Sequence, residues 1–139
     1  MALTIRILQA EDGHVLDHVA EGLFDNVVNE RLKAEFLHDP RHHLAVAIED
    51  GLMIGFASAV HYVHPDKEPQ LWINEVSVAP PYRGRGIGKA VLHALLQKGR
   101  ELGCSEAWVL TDKEKLPARA LYASAAGEET EHIMVSFWF

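Results

Sequence analysis

The sequence predicts one mixed α/β domain over residues 1–139, and three observations predict it. Runs with alternating apolar residues are interleaved with runs whose apolar residues recur every three or four positions, so strands and helices share one chain. Asp50 and Gly51 stand between two β-rich runs, the residue pair that a type I′ hairpin turn favours. A glycine- and arginine-rich loop then joins a strand-like run to the longest helical pattern. With 139 residues, 48% of them apolar and 24% charged, the chain is long enough to bury a core of its own.

The elements follow in order. Leu3, Ile5 and Ile7 alternate with polar residues and predict a first strand. Val15, Val19 and Leu23 are spaced four apart, which predicts a helix within "AEDGHVLDHVAEGLF". A second short helix fits "NERLKAEFLHD", with Leu32 and Phe36 on one side and Pro40 beyond its end. "HLAVAIEDGLMIGFASAV" is the hairpin, and "LWINEVSV" is the next strand. Ile87, Val91, Leu95 and Leu102 mark a helix from Gly86 to Leu102, closed by Gly103 at the position of a C′ glycine. "EAWVLT" predicts a fifth strand, Pro117 opens a helix running to about Ala126, and "HIMVSFWF" predicts a closing strand. The predicted order is βααβββαβαβ.

Composition excludes several classes of function. Twenty acidic residues against 13 basic give a formal charge of −7, without the basic face that a nucleic-acid or membrane-surface binder needs. The same balance suits a cationic small-molecule partner. No apolar run approaches the ~20 residues of a membrane span, and the N-terminus lacks a signal-peptide pattern. Cys104 stands alone, so no internal disulfide forms, and a soluble, cytoplasmic protein is expected. His61 and His64 are three apart in or near a strand, and His38, His42 and His43 surround Pro40 in a turn without the helical geometry of a zinc site, so no metal is expected.

The loop Arg83-Gly84-Arg85-Gly86-Ile87-Gly88 carries the chemistry. Its glycines let the backbone turn tightly enough for several N–H groups to converge on one anion. The following helix adds its positive end, and Arg83, Arg85 and Lys89 add countercharge. A Walker A loop needs four residues between its glycines and Lys-Ser/Thr afterwards; here Gly84 to Gly88 encloses three, and Lys89 precedes Ala90. A dinucleotide fingerprint needs G-x-G-x-x-G, and this loop reads G-x-G-x-G. The pattern that fits is [RQ]-x-x-G-x-[GA], which binds the pyrophosphate of coenzyme A.

With that loop in place, the chain resembles the GCN5-related N-acetyltransferase (GNAT) family. The resemblance spans nearly the whole chain and is strongest from Trp72 to Tyr122, through "NEVSVAPPYRGRGIG", "AWVLTD" and "ARALY". More loosely, the segment from Ile48 to Tyr122 is similar to the small acetyltransferases that modify aminoglycoside amines. The resemblance implies a mostly antiparallel twisted sheet flanked by helices, with the fourth and fifth strands splayed apart. Pantetheine would lie in that gap beside Val76, Ser77 and Val78, with the pyrophosphate on Arg83, Gly84, Arg85, Gly86, Ile87, Gly88 and Lys89. It further implies direct attack of a neutral amine on acetyl-CoA, with no acyl-enzyme.

Two residues are the candidate catalytic groups. Glu75 lies inside an apolar strand, where a carboxylate is costly without a task; otherwise it faces solvent or pairs with an arginine. The resemblance makes it the group that deprotonates or orients the amine. Tyr122 in "ALYASAAG" matches the family tyrosine whose hydroxyl points at the coenzyme sulfur, although Ala126 and Gly127 stand where that pattern has glycine and an aromatic. The acceptor would meet Asp25, Asn26, Asn29 and Glu30 on one side, the loop with Asp66 and Glu68 on the other, and His61 on the third strand. A polyamine or an aminoglycoside suits those carboxylates. A non-catalytic acyl-CoA-binding module and acetylation of a protein amine are the alternatives. The apolar final run, ending in three aromatics, predicts a homodimer.

Overall fold

The computed structural model describes residues 2–139. Five strands form one sheet in the order β1-β2-β3-β4-β5: β1 (Leu3–Ile7), β2 (His42–Glu49), β3 (Leu52–Tyr62), β4 (Gln70–Val78) and β5 (Glu106–Val109). The first four pair antiparallel, and β4 pairs parallel with β5. Three α-helices accompany them: α1 (Glu30–His38), α2 (Ile87–Glu101) and α3 (Leu116–Ser124). The turn between β2 and β3 is the expected one, with Asp50 at φ 51° and Gly51 at φ 79°.

Side-chain size on the sheet decides where α2 sits. Ala45 and Ala47 of β2 lie opposite Ala57 and Gly55 of β3, and all of them are fully or almost fully buried. This small-residue face lets α2 approach closely with Ile87, Val91, Leu92 and Leu95, none more than 2% exposed. The opposite face carries larger side chains, and Phe24 stacks on Phe56 there with centroids 4.5 Å apart. α1 begins at Asn29, whose side-chain oxygen accepts from the Leu32 N–H at 3.0 Å.

Two predicted elements differ. The first helix is a short 3₁₀ segment, Ala10–Asp17, after which the chain becomes irregular. Its backbone turns to the sheet instead: the Met53 N–H donates to His18 O at 2.8 Å, and the Ala20 N–H donates to Met53 O at 2.9 Å. Gly22, at φ 80°, continues the departure from helix. The predicted closing strand "HIMVSFWF" is the second difference. Residues 128–139 run without regular structure, and Ile133, Phe137 and Trp138 are 90%, 78% and 91% exposed. A strand exists only against a partner edge, and within this one chain the tail has none. The observed order is therefore β-3₁₀-α-β-β-β-α-β-α, with a short 3₁₀ turn, Pro80–Tyr82, ahead of α2.

β4 and β5 pair only from Gln70 with Glu106 to Ile73 with Val109. Beyond Ile73, Asn74 to Val78 have no partner on the β5 side. The strands part there, as the resemblance implies.

Candidate active site

The parting of β4 from β5 places one strand between three sets of residues. At its C-terminal end stands the loop from Arg83 to Lys89. Gly84 and Gly86 both have φ 78°, a left-handed conformation that glycine adopts without the clash a Cβ brings. Gly86 is the N-cap of α2 and has no capping side chain, so the first N–H groups of the helix lack an intrahelical acceptor. A Cβ on Gly84 or Gly86 would meet nothing within 4 Å, so space lies open beside the loop. This arrangement fits a pyrophosphate.

The two arginines are partly committed. Arg85 donates to Glu49 at 2.7 Å, a carboxylate only 6% exposed, and its guanidinium carbon lies 5.9 Å from the centre of the Tyr82 ring. Arg83 Nε donates to Val78 O at 2.9 Å, the end of β4. Both bonds hold the loop in shape, and Arg83, Arg85 and Lys89 are all exposed. Glu49 was not among the residues singled out from sequence. It stands one residue before the hairpin turn, where a carboxylate reads as solvated.

On the α2 side of β4 lies a cavity of about 330 Å³, bounded by Ile73, Val109, Cys104 and Tyr122. Burial pushes the Tyr122 phenol above its ordinary pKa, so it stays protonated. The backbone after α3 closes under this residue: the Gly127 N–H donates to Tyr122 O at 2.9 Å. Ala126 takes φ 67°, a left-handed conformation at the position where the resembled pattern has glycine.

On the opposite face a second cavity of about 340 Å³ is lined by Asp25, Asn26, Asn29, Phe24, Phe56, Ser58 and Glu75. Burial, and then the charge of Asp25, push the Glu75 carboxyl above the usual carboxylate range. β4 thus contributes Ile73 to one cavity and Glu75 to the other. Phe24, Phe56, Ser58 and Lys33 are among the lining residues that sequence reasoning missed. Phe56 and Ser58 could have been found from register, because Ser58 pairs directly with Glu75.

Of the sequence-predicted acceptor residues, Asp25, Asn26, Asn29 and Glu75 are brought together here, and Asp66 and Glu68 do not line this cavity. Nor does Glu30: its carboxylate meets Lys33 at 2.8 Å. His61 pairs with Leu71 on the α2 face, and its Nδ1 lies 2.7 Å from His43 Nε2. Burial, with His61 adding to it, holds the His43 imidazole down at about 4. Among the described residues no group of three or more His, Cys, Asp or Glu is placed to hold a metal ion. No helix among them is long and apolar enough to cross a membrane.

The chain matches the family described as "Acetyltransferase (GNAT) family" over residues 12–127. An uncharacterized N-acetyltransferase of Mycobacterium tuberculosis is 27% identical over 107 residues, covering 77% of this chain and 65% of that one. The chain therefore spans slightly less than two thirds of that relative. An aminoglycoside N(6')-acetyltransferase type 1 of Salmonella typhimurium is 33% identical over 98 residues, 66% of this chain and 68% of the relative. Among solved structures, AAC(6')-Iy in complex with a bisubstrate analogue, CoA-S-monomethyl-acetylneamine, superposes with a TM-score of 0.82. It is 23% identical and covers 100% of this chain and 99% of its own, a likeness of fold.

Proposed function

The chain belongs to the GNAT acetyltransferase family, and we propose that it moves an acetyl group from acetyl-CoA directly to a primary amine of a small molecule, polyamine- or aminoglycoside-like. The observation that carries this reading is the position of β4. One strand leads into the anion loop and presents Glu75 to a pocket on one face that Asp25 and Lys33 also line. Its Ile73 borders the Tyr122 cavity on the other.

In this reading Gly84, Gly86, Ile87 and Gly88 offer backbone N–H groups to the pyrophosphate, while Arg83, Arg85 and Lys89 neutralise it. Val76, Ser77 and Val78 offer the unpaired edge of β4 to the pantetheine arm. Asp25 and Asn29 hold the acceptor so that its reacting nitrogen lies near Glu75. The nitrogen lone pair attacks the thioester carbonyl carbon, the C–N bond forms, and the C–S bond breaks with its electron pair leaving on sulfur. Glu75 accepts the proton that the amine loses, directly or through a water, and Tyr122 supplies or shares a proton with the departing thiolate. A well-placed acid or base of this kind is worth about 10²–10⁴ in rate. Glu30 and His61 have no part in this step, since they face Lys33 and His43.

The assembly we propose is a homodimer, supported by the apolar tail that stands clear of its own chain. The cytoplasm is the proposed compartment, supported by a single free cysteine, Cys104.

A screen of amines, including linear polyamines, aminoglycosides and lysine peptides, with release of coenzyme A thiol as the readout, tests the function. Amine-dependent thiol release with small amines is expected. If acetyl-CoA raises the melting temperature but no amine accelerates thiol release, the chain is a binding module. If only peptides do so, the acceptor is a protein amine.

A further inference from the structure

A buried carboxylate stands behind the anion loop, and the proposed chemistry gives it no part. Glu49 is the last residue of β2 and is gripped by strand pairing on both sides, opposite Leu3 of β1 and Leu52 of β3. It is 6% exposed, and its Oε2 accepts from Arg85 at 2.7 Å, 36 positions further along the chain. A carboxylate in this place has two costs. Burial strips it of water, and its charge opposes any anion that the loop holds. A charge-assisted bond of this length offsets the first. The second needs a compensating gain elsewhere in the loop.

That gain lies in the loop backbone. Its start is fixed to the sheet: the Ala79 N–H donates to Ile54 O at 2.9 Å, and Arg83 Nε donates to Val78 O at 2.9 Å. Its end is fixed by the first turn of α2, where the Ala90 N–H donates to Gly86 O at 3.1 Å. Between these ties stands Arg85, flanked by Gly84 and Gly86, both at φ 78°. Glycine has the widest choice of backbone conformation, so this stretch loses the most freedom when it is ordered. The Arg85 side chain is the tie at its centre, joined to Glu49 and lying 5.9 Å from the centre of the Tyr82 ring. The base of the tie is rigid, because Glu49 adjoins the tight turn at Asp50 and Gly51.

We propose that Glu49 is a positioning residue for the coenzyme: by holding Arg85, it sets the backbone of Gly84 and Gly86 in the anion-binding shape before acetyl-CoA arrives. This rests on the reading of the loop as the pyrophosphate site. The gain is preorganisation, since a loop already ordered loses less entropy on binding. Glu49 touches no substrate and acts only through Arg85. Its effect on affinity therefore exists only while Arg85 is present, and it outweighs the repulsion between the carboxylate and the bound anion.

Calorimetric titration with acetyl-CoA and backbone relaxation of the free protein test this. Glu49→Ala should raise the dissociation constant about 5- to 50-fold, the range expected when one charge-assisted hydrogen bond is passed in part to the ligand. Glu49→Gln keeps an oxygen at the same reach and should restore most of that loss, whereas the shorter Glu49→Asp should not. In the Arg85→Ala chain, adding Glu49→Ala should change the constant less than about 2-fold. In free Glu49→Ala the amide order parameters of Gly84 to Gly88 should fall, while those of Val91 to Leu95, inside α2, should hold. The Arg85 side chain is 41% exposed, so water takes up its guanidinium and the Glu49 variants fold. Arg85→Ala strands a buried carboxylate; if it does not fold, the order parameters and the Gln rescue decide. Tighter binding by Glu49→Ala makes repulsion the larger effect and overturns the proposal, as does an equal loss with Arg85 absent or a fall in order throughout α2. Unchanged affinity in Glu49→Ala overturns it and leaves the coenzyme site standing. If the parent chain does not bind acetyl-CoA, the pyrophosphate reading fails and the proposal fails with it.

Discussion

Gly55→Ala tests whether the seat of α2 sets the anion loop. Gly55 lies on β3 opposite Val78, beneath the start of α2. An added methyl would meet Ile87 Cγ2 at 2.8 Å, Ser77 O at 3.4 Å and Ala47 Cβ at 3.6 Å. Carbon atoms rest about 3.5–4.0 Å apart, so roughly 1 Å must be found. Ile87 is the first residue of α2, directly after Gly86, so the helix start and the loop give way together. Overpacking of this kind costs about 1–3 kcal/mol, which for a chain of this size lowers Tm by roughly 3–15 °C. Losing one backbone bond to a phosphate, at about 1.5–3 kcal/mol, weakens acetyl-CoA binding by a factor of roughly 10–150. Thermal unfolding and calorimetric titration of Gly55→Ala, Ile87→Ala and the double variant measure both effects. Ile87→Ala alone costs about 2–5 kcal/mol, but it removes the clashing methyl, so the double variant should be at least about 1 kcal/mol more stable than the sum of the singles predicts. Additivity within about 0.5 kcal/mol, or an unchanged affinity for acetyl-CoA in Gly55→Ala, refutes the reasoning.

The remaining predictions concern the site and the tail. Glu75 acts as a base only when ionised, and burial with Asp25 raises its pKa. Activity should therefore climb with pH through that raised value, and Glu75→Gln should lower kcat by about 10²–10⁴ and remove the climb. Tyr122→Phe should lower kcat while leaving the acetyl-CoA dissociation constant nearly unchanged, because the hydroxyl matters as the thiolate leaves; a rate equal to the parent's excludes that role. Ala126→Gly relieves a left-handed conformation worth about 1–2 kcal/mol and is offset by about 0.5–1 kcal/mol of glycine entropy. It should thus raise stability by roughly 0.5–1 kcal/mol in denaturant unfolding. Light scattering at micromolar concentration should give a dimer mass that falls on removing Trp138 and Phe139; a monomer mass, unchanged by that truncation, excludes the dimer.

How much of this was legible in the sequence depends on whether the signal was local. The hairpin at Asp50 and Gly51 and the Gly103 stop are fixed by neighbouring residues, and both stand where the pattern put them. The anion loop was legible because its function is carried by glycines adjacent in sequence. The segment after Ala10 was misread because its fate is decided by Met53, far along the chain, which captures its backbone. The tail was misread because strand-forming residues make no strand without an edge to join. The acceptor pocket was half legible: its acids show in the sequence, but His61 and Ser58 differ only in which face of β3 they occupy. The register shift that sets Glu75 opposite Ser58 leaves no sequence mark at all, since Asn74 looks like any strand residue.

Direct transfer is the centre of this account, and single-turnover mass spectrometry tests it. The chain is mixed with a stoichiometric amount of acetyl-CoA, first alone and then with an amine identified in the screen, and the masses of protein and amine are followed in time. The account predicts a protein mass that never changes and N-acetylated amine formed in step with free coenzyme A thiol. A protein that gains an acetyl group and then passes it to the amine would contradict it.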